Sequence, residues 1–94
     1  MAKLKTYAYD SADYLDSPET IGFYLDEAFK TGDAAFIAQA IGTVARAKGM
    51  AKVARKSKLS RESLYKALSA EGNPEFATIV KVMNALDLKM TVVG

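Results

Sequence analysis

Residues 50–69, MAKVARKSKLSRESLYKALS, constrain this chain more than any other stretch. Val53 and Ala54 fall near the end of a short helix, Leu59 falls in a turn, and Leu64, Ala67 and Leu68 fall within a second helix. Small or apolar residues at those positions let two helices cross closely over a short turn. Lys52, Arg55, Lys56, Lys58, Arg61 and Lys66 lie between them and point away from that seam. A helix pair with a sealed side and a cationic side is suited to docking in a DNA groove.

The charge balance along the chain agrees. The net charge of +2 is small, but it divides unevenly. Residues 1–45 set three lysines against seven acids, residues 46–69 set eight cations against Glu62 alone, and residues 70–94 set two lysines against three acids. The segment balances are therefore −4, +7 and −1. Two working faces follow, a basic one for phosphates and an acidic one for another partner.

Ninety-four residues make a single domain, and half of them are apolar, enough for a compact core. With no Cys and no His, disulfides, the usual zinc sites and His-based acid–base chemistry are excluded. No Gly-rich phosphate loop stands in the chain either, so the expectation is a protein that is not an enzyme and needs no cofactor. No apolar run approaches the roughly 20 residues of a membrane span, and no secretory leader opens the chain. The expected location is cytoplasmic.

Helix boundaries are marked by their caps. Ser17, Pro18 and Glu19 form a strong start, followed by Ile21, Tyr24, Leu25 and Ala28 at helical spacing and a stop at Gly32. Asp33 caps a second helix with Ile37, Ala40, Ile41 and Val44 on one stripe, ending at Lys48 and Gly49. Ser60 caps the later half of the basic helix pair. The loop 71–75 leads into a cap-plus-proline start, with Asn73 the obvious cap, and Phe76, Ile79, Val80, Met83 and Leu86 form the inner stripe of the last helix. Residues 88–94 then alternate as a strand would. Residues 1–10 suit an arm or short strand, and 10–16 suit one helical turn.

The run ARAKGMAKVARKSKLSRESLYKALSAEGNPEFATIVKVMNALDLKM resembles the HigA-like antitoxins of bacterial toxin–antitoxin modules, in particular the addiction module antidote proteins with a lambda-repressor-like DNA-binding domain. YDSADYLDSPETIGFYLDEAF and GDAAFIAQAIGTVARAKGM upstream are similar to the same group, so the likeness covers nearly the whole chain. Its most specific pieces are RAKGM (46–50), LSRESLYKAL (59–68) and EGNPEF (71–76). One departure is Lys58, where this family commonly has glycine. A positive φ there would strain a lysine by about 1 kcal/mol.

The resemblance implies an all-α, lambda-repressor-like helix-turn-helix bundle of about five helices, with a short C-terminal strand. It also implies a homodimer that neutralises a RelE/HigB-like toxin encoded beside it and represses its own operon. The division expected is an acidic, toxin-facing part (1–45), a DNA-binding core (46–87) and a strand (88–94). With Leu64 as the buried mid-helix residue, Arg61, Glu62, Tyr65 and Lys66 are the expected base contacts. Lys52, Ser60, Ser63, Ser69 and Asn73 are the expected phosphate contacts. Glu62 has a plainer alternative role, orienting Arg61 or Lys66 within the helix. Tyr7, Tyr9, Asp10, Asp13 and Tyr14 are the expected toxin contacts, since aromatics mixed with charge suit an interface. The competing expectations are a stand-alone helix-turn-helix regulator and a helical interaction module without a toxin.

Overall fold

The computed structural model describes residues 15–69 and 71–94. Among these there are five helices: α1 (Pro18–Lys30), α2 (Ala34–Lys48), α3 (Met50–Ser57), α4 (Arg61–Ala67) and α5 (Phe76–Ala85). The expected all-α bundle is what forms. The first two starts are those marked in the sequence. Ser17 Oγ accepts from the Thr20 amide at 3.2 Å, with Pro18 opening the helix, and Asp33 Oδ1 accepts from the Phe36 amide at 3.1 Å. Such caps each contribute about 1 kcal/mol by satisfying amides that have no partner inside the helix.

The core lies where the apolar stripes converge. Helix α1 packs on α2, while α3 packs on α2, α4 and α5. Ile21, Ile41, Val44, Val53, Leu64 and Val82 are its largest fully buried side chains. Burying each is worth roughly 1.5–3 kcal/mol. Within α3, the buried Ser57 hydroxyl donates to the Ala54 carbonyl at 3.2 Å, so that polar group is satisfied.

Two helix ends close by one device. After α3 the Lys58 amide donates to Arg55 O (3.3 Å) and the Leu59 amide to Ala54 O (3.1 Å), with Lys58 itself left-handed at φ 63°. After α5 the Asp87 amide donates to Asn84 O (3.0 Å) and the Leu88 amide to Met83 O (2.9 Å), with Asp87 at φ 61°. Glycine usually occupies this place because a Cβ crowds the neighbouring carbonyl there. Lys58 therefore does sit where a positive φ is demanded. The two closures are neighbours: Lys56 Nζ lies 3.4 Å from Asp87 Oδ2.

Three expectations are corrected. Residues 88–94 carry the alternating pattern but form no strand among the described residues, because no second strand pairs with them there. The last helix begins at Phe76, with Glu75 preceding it and no side-chain cap, so Asn73 does not cap it and Pro74 lies outside its first turn. Phe76, expected on the inner stripe, is 73% exposed, since the helix opens beyond the edge of the core. Val82 is fully buried instead, beside Met83 and Leu86. The arm at 1–10 lies outside the described residues, as does most of the turn expected at 10–16.

Lys58→Gly should raise stability by about 1 kcal/mol by removing the left-handed strain, shifting the thermal midpoint up by roughly 4–8 °C. Lys58→Ala, which keeps a Cβ, should give no such gain. Thermal unfolding of the three proteins distinguishes these outcomes.

Candidate nucleic-acid interface

Helix α4 is only seven residues long, too short to persist without support. Ser60 starts it: its Oγ accepts from the Ser63 amide at 3.0 Å and donates to Ser63 Oγ at 2.9 Å. Leu64 anchors it, fully buried, and Leu68 is buried one turn later. At about 100° per residue, Arg61, Tyr65, Glu62 and Lys66 follow one another over the circumference that Leu64 and Leu68 leave open, Arg61 nearest the buried edge. All four are exposed. No ion pair or hydrogen bond engages their side chains among the described residues, so Glu62 forms no pair with Arg61 or Lys66.

The expected phosphate contacts divide into groups. Ser63, Ser69 and Asn73 line one open depression of about 520 Å³, together with Lys66, Glu71, Gly72 and Pro74. Lys52 lies apart, in a smaller cleft with Lys48, Lys56 and Asp87. The hydroxyls also differ in what they have left to offer. Ser60 spends its proton on Ser63, and Ser69 donates to the Lys66 carbonyl at 3.0 Å. Ser63 retains a proton for an acceptor outside. Asn73, freed from the capping role, is exposed.

Two features of the site escaped the sequence reading. Lys48, Lys52 and Lys56 converge on one cleft. The spacing of four on α3 was the available signal for Lys52 and Lys56, whereas Lys48 comes to it from the end of α2, across Gly49. Gly72 is fixed by close approach: a Cβ there would run into the carbonyl oxygen of Ala67 and lie 2.6 Å from that of Lys66. The loop 71–75 thus lies directly against the last turn of α4. Gly42 plays a similar part on α2, where a Cβ would lie 3.0 Å from the Leu68 carbonyl oxygen.

The acidic third of the chain is partly self-neutralised. Lys30 Nζ lies 3.3 Å from Asp26 Oδ2 and 3.5 Å from Glu27 Oε2, all exposed. The hydrogen bond to Asp26 and the two carboxylate charges hold the Lys30 ammonium above its ordinary pKa. Tyr24 is half-buried against the core. Tyr7, Tyr9, Asp10, Asp13 and Tyr14 lie outside the described residues. Among the described residues no cluster of carboxylates could hold a metal ion, and no helix is long and apolar enough to cross a membrane.

With this geometry in place, comparison with known proteins is decisive on one point. A family model described as "probable addiction module antidote protein" matches residues 5–94. The chain belongs to that family. It is also similar to a protein of Haemophilus influenzae described as uncharacterized, with 48% identity over 84 residues, covering 89% of this chain and 87% of the relative. No solved structure matches the chain significantly. An antidote acts in an addiction module, so family membership implies a toxin as partner.

Gly72→Ala should lower stability by about 1–3 kcal/mol, because the methyl must displace backbone rather than a flexible side chain. Gly22→Ala is the control. A Cβ on Gly22 meets nothing within 4 Å, so that change should stabilise α1 by about 0.5–1 kcal/mol. Urea unfolding of both variants gives the comparison.

Proposed function

We propose that this antidote family member is a DNA-binding antitoxin that represses its own operon and neutralises a RelE/HigB-like ribonuclease. The observation that carries the DNA half is the outer face of α4. Arg61, Glu62, Tyr65 and Lys66 stand exposed and unpaired among the described residues, on a rigidly anchored helix within the +7 segment. Arg61 suits a bidentate contact to guanine and Glu62 suits the amino group of cytosine. Lys66, Ser63 and Asn73 stand on the side of a depression where a backbone phosphate would lie, with Glu71 also on its wall, and Lys52 adds a separate backbone contact. These features support a lambda-repressor-like mode of binding, with α4 in the major groove and α3 across the backbone behind it.

The whole chain acts as one domain, with 46–87 as the DNA-binding core and 1–45 turned toward the toxin. Two copies form a homodimer that places two α4 helices in successive major grooves, roughly 34 Å apart. The protein works in the cytoplasm and performs no catalysis of its own: it binds, and binding is its activity.

The DNA upstream of the gene provides the test. In a fluorescence anisotropy titration, Arg61→Ala with Lys66→Ala should weaken binding at least about 10-fold, since one good bidentate contact is worth about 1–3 kcal/mol. Lys52→Ala should weaken binding uniformly across sequences and reduce the salt slope by about one unit. Unchanged affinity in the double variant would remove α4 from the groove.

A further inference from the structure

We propose that the toxin docks on an apolar furrow bounded by α1, the start of α5 and the C-terminal segment, rather than only on the N-terminal acids and tyrosines. This rests on the antitoxin function proposed above and names the partner's seat. Phe29 and Met90 line two adjoining depressions of about 260 and 200 Å³, and Phe76 lines the second. Phe76 is 73% exposed and Met90 36%. Of the large apolar side chains left exposed among the described residues, Tyr65 alone belongs to α3 or α4. The others stand on α1, α2, α5 or the C-terminal segment. A furrow of this kind marks an interaction surface.

Charge selects the occupant. The stretches that build the furrow, 15–45 and 71–94, carry eight acids against three lysines. Glu71 and Glu75 adjoin its loop wall at 72–74 along the chain, Glu71 lining the neighbouring depression with Lys66. A second copy seated face to face would set acid against acid, which disfavours docking. A protein that cleaves RNA must be cationic where it holds the phosphate backbone, and such a partner is drawn to this rim while its apolar contacts fill the furrow. Arg61, Glu62 and Tyr65 line neither depression and stay available to DNA, while the loop at 72–74 lines both this furrow and the depression with Ser63 and Lys66, so Asn73 stands where the two surfaces meet.

The test uses the full chain and the purified product of the adjoining reading frame. Isothermal titration should show that Phe76→Ser with Met90→Ser weakens the complex at least about 30-fold, the loss typical of an interface anchor. Operator affinity and the light-scattering mass of the protein alone should not change. Glu75→Lys alters an exposed residue outside the depression that holds Lys66 and Asn73, and it should slow association several-fold. Full toxin affinity in both variants would overturn the docking site and leave the antitoxin function standing. A lower mass for the Phe76/Met90 variant would assign the furrow to a second copy and overturn the proposal. Failure of the unaltered chain to bind that gene product would overturn the antitoxin function and this inference with it.

Discussion

The inner face of α3 holds the molecule together. Met50, Val53, Ala54 and Ser57 are buried, and through them this eight-residue helix meets α2, α4 and α5 at once. Neither α3 nor α4 is long enough to be stable in isolation. Their helicity is stabilised by burial, chiefly of Val53, Leu64 and Leu68, and by the turn that sets one against the other. The left-handed Lys58 is part of the same constraint, since its conformation lets Leu59 reach back to the Ala54 carbonyl.

That economy has a consequence for recognition. With its apolar side sealed, α4 is free to carry charge on the rest of its circumference. Arg61, Glu62 and Lys66 have no partners among the described residues, a condition that costs little in water and leaves their full hydrogen-bonding capacity for a ligand. The loop at 71–75 is held against the helix by the absence of a side chain at Gly72. Asn73 is thereby delivered beside Lys66 and Ser63, with no hydrogen bond of its own among the described residues.

The chain also builds its two kinds of surface from largely different stretches, which meet at the loop 72–74. Cations concentrate from Arg46 to Lys66, while exposed phenylalanines and most acids belong to α1, α2, α5 and the loops beside them. Lys56 and Asp87 meet at 3.4 Å where the two territories adjoin, joining the closures of α3 and α5. An exposed pair of this kind contributes little to stability; its position matters more than its strength. A protein with distinct cationic and apolar territories can hold a nucleic acid and a protein together, as the proposed function requires.

Much of this was legible in the residues. Ser17, Asp33 and Ser60 act as caps because short polar side chains reach local amides whatever the rest of the chain does, and the apolar stripes of α1 to α4 follow from helical periodicity. The charge segregation is a property of the sequence itself. What required the tertiary structure was everything decided by neighbours distant along the chain. Phe76 satisfies the period of α5 yet lies beyond the core edge. Asn73 has the chemistry of a cap but stands two residues too early. Residues 88–94 alternate as a strand should, but a strand exists only when a second one supplies hydrogen bonds, and none does among the described residues. Local bonding can be read along the chain; packing and pairing depend on what the fold brings alongside.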